Sequence, residues 1–479
     1  MIAQEQLVGL KVLVVGAARE GTAVAAYLAR HGARVRLADA KPLGALRQDV
    51  SGLAELGVEL EGDAAQPELD DLDVVLLSPG VPPTAPVVLE ARRRGLPLSS
   101  EPRLFTQLFP RPILGVTGSS GKTTTTTVLG EILAAAGLNT LVGGNIGLPL
   151  ISTLDGEADR ADAAVMELSS FQLELFAPAY QGVETEARRS LASRAISLDG
   201  WSPSVAVMTN VTPNHLDRHP SMADYVQAKS HILAYQRPGD WAVLNADNPV
   251  TRELRSLVRG DLLTFSLVEP VAQGAWLQGD ELRLRWDGRE HVICRRSELV
   301  LRGEHNVANV LAACSAAAAG GASPEAMRSV AITFAGVPHR LEVVRVLRGV
   351  TWVNDSIATT PERAVAALKA YSEPIVLLAG GRDKHLPWDE WARWAAVKAR
   401  IVIGFGECAP LVERALAPLG GAAPQYRRVE CLQEAVALAQ EMARAGEVVL
   451  LSPGGTSFDA YRDFEERGEA FRQMVRDLA

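Results

Sequence analysis

A ten-residue run, Gly115-Val116-Thr117-Gly118-Ser119-Ser120-Gly121-Lys122-Thr123-Thr124, constrains this chain more than any other segment. Its centre reads G-x-x-G-K-T, and Gly115 supplies the outer glycine of a compressed phosphate-binding loop. The apolar run Ile113-Leu114-Gly115-Val116 leads in as a buried strand. Val128, Leu129, Ile132 and Leu133 then recur on one face of a helix. Such a loop needs that context, because its glycines let backbone N–H groups converge on phosphate oxygens at a helix start. Lys122 is placed to neutralise the terminal phosphates and Thr123 to hold a magnesium ion. A Gly/Ser/Thr-rich surface turn would share the composition without the flanking strand and helix. The chain is therefore expected to bind ATP or another nucleoside triphosphate.

Length then asks for more than one core. At 479 residues, about three domains are expected. Net charge is −9 and no long basic block occurs, which argues against nucleic acid or an anionic membrane as partner. Arg92-Arg93-Arg94 reads as a solvated helix end. Cys294, Cys314, Cys408 and Cys431 lie far apart with no C-x-x-C spacing, so they read as reduced, buried thiols. Met1-Ile2-Ala3-Gln4-Glu5 has neither a basic nor an apolar signal region. The stretches 132–154 and 305–324 are broken by Gly, Asn or Pro and do not read as membrane spans. A cytoplasmic monomer is the expectation.

The fold class expected is α/β in three domains: a Rossmann-like domain at 1–111, a central phosphate-loop domain at 112–336 and a second Rossmann-like domain at 337–479. Lys11 to Gly16 is a buried-strand pattern running into a glycine turn, followed by a helix from about Gly21 to Arg30 and a second strand, Arg34 to Asp39. Ala18 stands where a dinucleotide binder needs its middle glycine, so NAD is disfavoured, while Asp39 is positioned to accept from a ribose or base. Val74 to Val81 is another strand ending in a turn. In the third segment, strands at 351–354, 374–379, 400–404 and 447–451 alternate with helical patterns, as in a mostly parallel sheet.

Polar groups gather where these strands end. Glu167 closes one strand, where a carboxylate suits magnesium or simply favours a helix start. His215 follows another, inside Asn210-Val211-Thr212-Pro213-Asn214-His215-Leu216-Asp217-Arg218-His219. Lys229 falls on a helix from Tyr225 to Tyr235, where a solvated lysine is the plain reading. Asn306 and Asn309, three apart, could read an adenine or ribose edge, or cap and pack. Arg340 offers a phosphate or purine contact, or a surface ion pair. Asn354-Asp355-Ser356, Gly380 to Lys384 and Ser452 to Ser457 end three strands of one sheet and point to a shared cleft.

Together these segments resemble the Mur ligases, ATP-dependent amide-forming enzymes of peptidoglycan assembly. The resemblance runs through Gly118 to Thr124, Gly144-Asn145-Ile146-Gly147-Leu148-Pro149 and Glu167-Leu168-Ser169-Ser170-Phe171-Gln172-Leu173-Glu174. It continues through Asn214 to His219, Ala228-Lys229, Gly303 to Asn309, Pro338 to Glu342, Asn354 to Ser356, Leu451 to Asp459 and Phe464-Glu465-Glu466-Arg467-Gly468.

The resemblance implies a ligase that adds D-glutamate to UDP-N-acetylmuramoyl-L-alanine through an acyl phosphate, with an L-glutamate-adding or folylpolyglutamate synthase-like relative as alternatives. It implies that Gly118, Ser119, Ser120, Gly121, Lys122, Thr123 and Thr124 hold ATP, and that Thr123, Glu167, Lys229 and His215 serve Mg²⁺, with Lys229 carbamylated. Asn306, Asn309, Arg340 and Asp355 are implied for the adenine nucleotide. Ser78, Asn145 and His215 are implied for the UDP-sugar, and Thr359, Lys384, Ser457 and Phe464 for glutamate. Ile357 departs from the pattern, standing where a lysine is usual, and Arg19-Glu20 and Ala40-Lys41 replace the usual uridine contacts. Residues 178–204 read as an exposed, charged insertion.

Overall fold

The computed structural model describes residues 4–46, 48, 50–146, 149–178, 199–214, 218–301, 303–384 and 386–479. Packing divides the chain into two compact units, Met1–Phe334 and Ala335–Ala479.

The first unit contains two sheets. The N-terminal sheet is wholly parallel, in the order Glu59–Glu61, Arg34–Ala38, Lys11–Val15, Val74–Leu77, Leu98–Ser99. Val12, Leu13 and Val14 are covered on both faces, the reason that strand reads as an unbroken apolar run. The helix Arg19–Arg30 lays Val24, Ala25, Tyr27 and Leu28 on the sheet. Chain order reverses between Lys11–Val15 and Val74–Leu77, so a ligand crevice is expected beyond their carboxyl ends.

The second sheet has nine strands. Its parallel part runs Thr140–Gly144, Ala163–Glu167, Ile113–Thr117, Val205–Met208, Trp241–Asn245, Asp261–Ser266, Gly274–Gln278. Two antiparallel strands, Glu281–Trp286 and Arg289–Arg295, extend it. They are joined at Asp287-Gly288, both with positive φ (49° and 69°), the two-residue turn whose twist matches a hairpin. The helices Lys122–Ala135 and Glu304–Ala319 pack together against this sheet. The second helix manages this with small buried residues, Ala312, Ala313, Ala316 and Ala317, which allow close approach.

The second unit holds one six-stranded sheet, ordered Glu342–Leu347, Val350–Asn354, Val448–Gly454, Ile375–Gly380, Ala399–Phe405, Gln425–Arg428. Only the first edge strand is antiparallel. Apolar layers cover both faces, one around Leu368, Leu377, Trp391 and Val412 and the other around Trp352, Phe405, Val436 and Phe471.

Three expectations need correction. Cys431 is exposed, whereas Cys294, Cys314 and Cys408 are buried. The end of the expected insertion belongs to the core: Trp201 N donates to Phe176 O (3.1 Å), and Ser202 and Pro203 are buried ahead of the strand at Val205. Residues 179–198, with Glu184, Glu186, Arg188, Arg189 and Arg194, lie outside the described residues. Asp39 is already engaged, its carboxylate accepting from Ala17 N (2.8 Å) and Lys41 N (2.9 Å), so it closes the strand-end turns. Among the described residues, no helix is long and apolar enough to cross a membrane.

Candidate active site

The strand Ile113–Thr117 lies between Ala163–Glu167 and Val205–Met208, so three carboxyl ends meet at the glycine loop. Gly118 and Gly121 take φ of 153° and 81°, and neither has room for a side chain. A Cβ on Gly118 would stand 1.9 Å from Thr209 Oγ1, and one on Gly121 would stand 2.2 Å from Asn309 Oδ1. The loop is braced from the neighbouring strand exit. Ser119 N donates to Asn210 O (2.9 Å), Ser120 N to Asn210 Oδ1 (3.1 Å) and Thr209 Oγ1 to Ser120 O (2.6 Å). The Ser119 hydroxyl donates to Thr212 O (2.9 Å) and shares a hydrogen bond with the Tyr225 hydroxyl (3.0 Å).

Two lysines approach the same loop. Lys122 Nζ donates to Gly118 O (3.0 Å) and Ser119 O (3.4 Å). Lys229 Nζ donates to Gly118 O (2.9 Å) and Thr117 Oγ1 (3.3 Å), 4.9 Å above the Tyr225 ring. The plain reading of Lys229 as a solvated lysine is overturned, because it is 1% exposed. Burial pushes its pKa well below the ordinary lysine value, the Lys122 charge pushes the same way, and Glu167 opposes both.

Glu167 is buried at the end of its strand. Asn145 Nδ2 donates to its Oε1 (2.9 Å), while its buried Oε2 has no hydrogen-bond partner. A carboxylate fixed through one oxygen with the other left over suits a hard divalent cation. Among the described residues, no group of three or more His, Cys, Asp or Glu could hold a metal. Hydroxyl, phosphate and water oxygens are donors that magnesium takes beside such a carboxylate.

Asn309 is buried, and its amide donates to Asn306 Oδ1 (3.2 Å), so the pair abuts the loop from the helix Glu304–Ala319. Ser78 belongs to the N-terminal sheet. Its hydroxyl donates to Gly16 O (2.6 Å), tying two strand-end turns together at the reversal of strand order. His215 lies outside the described residues.

In the second unit, Lys384 Nζ donates to Thr359 Oγ1 (3.4 Å), and Ser457 is buried with no hydrogen-bond partner for Oγ. Asp355 accepts from Ser452 Oγ (2.8 Å) and Leu341 N (3.3 Å), and burial raises its pKa to about 7 against the pull of Ser452 and Arg340. Arg340 sits between His339 and Leu341, which both have positive φ (64° and 45°). That tight turn is pinned by Glu342, whose carboxylate accepts from His339 N (2.8 Å), Asn354 Nδ2 (3.1 Å) and Arg472 Nε (2.9 Å).

Three residues that organise these sites had no role assigned from sequence. Asn210 and Tyr225 brace the loop. Arg467 is fully buried and donates to Ser356 Oγ (3.0 Å), Ser356 O (2.9 Å) and Gly455 O (3.2 Å), with its pKa pushed down to about 10 by burial. It stands in the Phe464-to-Gly468 motif already noted, in the first turns of the helix Phe464–Asp477, and its place in that motif was the available signal.

Comparison with known proteins agrees along the whole chain. The Mur ligase MurD-like N-terminal domain matches residues 10–100, the Mur ligase middle domain 116–317 and the Mur ligase glutamate ligase domain 339–455. A UDP-N-acetylmuramoylalanine–D-glutamate ligase of Symbiobacterium thermophilum is 45% identical over 97% of this chain and 98% of its own. One of Pelotomaculum thermopropionicum is 40% identical over 98% of each. In fold, the chain is similar to the UDP-N-acetylmuramate–alanine ligase of Thermotoga maritima, with a TM-score of 0.56 at 20% identity over 98% of this chain and 99% of that one.

Proposed function

This chain belongs to the Mur ligase family, and from that premise we propose that it joins D-glutamate to UDP-N-acetylmuramoyl-L-alanine at the expense of ATP, in the cytoplasm. It is an ATP-dependent amino-acid ligase of peptidoglycan synthesis. The observation that carries the site reading is the pairing of a Cβ-intolerant phosphate loop with Glu167, whose second carboxylate oxygen is left unpartnered beside it.

In this reading the loop residues Gly118 to Thr124 bind the triphosphate, and Glu167 and Thr123 hold Mg²⁺, which supplies charge neutralisation at the transferring phosphoryl group. Asn145 keeps the Glu167 carboxylate aimed. Lys122 leaves the Gly118 carbonyl for the phosphates. Lys229, buried and therefore disposed to the neutral amine, is able to add CO2 and become a carbamate. The acceptor carboxylate attacks the γ-phosphorus, releasing ADP and leaving an acyl phosphate. The D-glutamate amine then attacks the acyl carbon, and inorganic phosphate departs. Asn306, Asn309, Arg340 and Asp355 serve the nucleotide. Ser78 and His215 serve the UDP-sugar, and Thr359, Lys384, Ser457 and Phe464 the incoming amino acid.

Phosphate release from ATP tests this directly. It should require both UDP-N-acetylmuramoyl-L-alanine and D-glutamate. Turnover with L-glutamate in place of the D isomer, or without the nucleotide-sugar, would overturn the substrate assignment.

A further inference from the structure

Within the first unit, a continuous chain of contacts runs from the phosphate loop to the ligand end of the N-terminal sheet. It begins at Ser119, whose hydroxyl meets the Tyr225 hydroxyl at 3.0 Å. The Tyr225 ring packs on His219, with centroids 5.2 Å apart. His219 is buried, and its two ring nitrogens are both engaged: Nε2 with Ser170 Oγ (3.0 Å) and Nδ1 with Glu174 Oε1 (3.3 Å). The other oxygen of Glu174 faces Arg218 at 3.8 Å. The Arg218 guanidinium stands over the Phe171 ring, 4.4 Å from its centroid, and donates through one nitrogen to Val81 O (3.0 Å) and Pro79 O (3.5 Å).

Those carbonyls belong to the turn that begins at Ser78, at the reversal of strand order in the first sheet. Ser78, Phe171, Glu174 and Arg218 line one small pocket there.

The geometry is asymmetric in a useful way. The turn Ser78-Pro79-Gly80-Val81 gives Arg218 only backbone acceptors, so that contact depends on where the turn stands rather than on its side chains. Arg218, in turn, is held by stacking and by a half-buried carboxylate that is itself fixed by His219. The links mix hydrogen bonds with ring packing and one ion pair, and His219 at their centre is buried. A ligand that shifts either end changes the alignment of the whole strut.

We infer that Arg218 is a positioning residue. Through Glu174, His219 and Tyr225 it makes the stance of the Ser78–Val81 turn, and so the affinity for the nucleotide-sugar, depend on whether the phosphate loop is filled. The inference rests on the substrates assigned above and adds an energetic link between two binding events. Such a link is reciprocal: whatever factor ATP lends to the nucleotide-sugar, the nucleotide-sugar lends to ATP.

The test is isothermal calorimetry on the full chain. Binding of UDP-N-acetylmuramoyl-L-alanine is measured with and without a saturating non-hydrolysable ATP analogue and Mg²⁺. Wild-type protein should bind the nucleotide-sugar about 5-fold or more tightly when the analogue is present. Arg218→Met should bring that factor close to 1 while leaving affinity for the analogue alone within about twofold. Glu174→Gln, which removes the charge that faces Arg218, should do the same and serves where Arg218→Met does not fold. A purely structural role would weaken single-ligand binding or lower Tm and keep the factor. Retention of the wild-type factor in both variants overturns the inference, as does wild-type protein that binds both ligands independently. Wild-type protein that binds neither ligand would overturn the substrate assignment and this inference with it.

Discussion

The ammonium groups of Lys122 and Lys229 meet on one acceptor, the carbonyl oxygen of Gly118, at 3.0 and 2.9 Å. Burial drives Lys229 toward the neutral amine, and repulsion from the Lys122 charge on the same oxygen adds to that push. A neutral amine is the form that adds CO2. Protein equilibrated with ¹³C-bicarbonate should therefore show a carbamate carbon by NMR that Lys229→Arg lacks, and the arginine variant should lose activity. A spectrum without that carbon in the active wild-type protein would count against the assignment.

Lys122 is the only one of the two on the loop itself, so its role is with phosphate. Lys122→Ala should lower kcat by about a hundredfold or more, as removal of a charge stabiliser at a transferring group does. Steady-state phosphate release provides the measurement. Unchanged turnover would mean that the triphosphate is held elsewhere.

Gly121 combines a left-handed φ of 81° with the Asn309 amide oxygen 2.2 Å from any Cβ. Gly121→Ala should thus cost about 1–2 kcal/mol in backbone strain alone and displace Asn309 as well. Nucleotide binding followed by calorimetry should weaken at least tenfold, the equivalent of about 1.4 kcal/mol. Gly137 also has a positive φ (89°) but nothing within 4 Å of its Cβ position, so Gly137→Ala should leave binding intact.

Much of this was legible because the loop's chemistry is local: glycines, a lysine and a threonine in sequence order suffice to specify it. The parallel sheets were legible as apolar runs separated by helical patterns. The local pattern alone left Lys229 as a solvated lysine and only the resemblance gave it a role, although Tyr225, Lys229 and Ile232 share a helical face at spacings of four and three, and two of those are apolar. Asp287-Gly288 was a readable hairpin turn that went unused, so the two antiparallel strands were missed. The Arg218–Glu174–His219 contacts were not readable at all. They join residues some forty-five positions apart, in segments that follow two different strands of the nine-stranded sheet.

Two buried carboxyls give the first unit a pH dependence. Glu101 accepts from Ile151 N (2.8 Å) and Glu20 from Gln172 Nε2 (2.7 Å), and each has a second oxygen with no partner. Burial raises the Glu101 pKa to about 7, and burial together with the Glu101 charge raises that of Glu20. Raised acid pKa values mean the fold favours the protonated forms, so the Glu101 contribution is complete below about pH 4.5 and is lost as pH climbs through about 7. Glu101→Gln keeps the acceptor for Ile151 N and removes the titration. It should be more stable than wild type at pH 8 by up to ~3 kcal/mol, with the gap closing near pH 5. Urea melts across that range decide it, and parallel wild-type and variant curves would refute the shared burial argument.

Arg467 poses the opposite problem, a buried cation with no carboxylate bonded to it. Its guanidinium is satisfied by Ser356 Oγ, Ser356 O and Gly455 O, which binds the segment after Asn354-Asp355 to the Gly454-Gly455-Thr456 turn. A lysine has three donors on one rotating nitrogen and cannot reproduce that fork, and a methionine leaves two carbonyls without their donor. Arg467→Lys should cost about 2–4 kcal/mol and Arg467→Met at least as much. Because the residue lies wholly within the second unit, thermal unfolding of the full chain should split. An early transition would belong to Ala335–Ala479, and a later one would remain near the wild-type temperature. The same variants should raise KM for D-glutamate, since Ser457 and Phe464 stand on the turn and helix that Arg467 secures. A single unshifted transition with unaltered KM would show that the fork is dispensable.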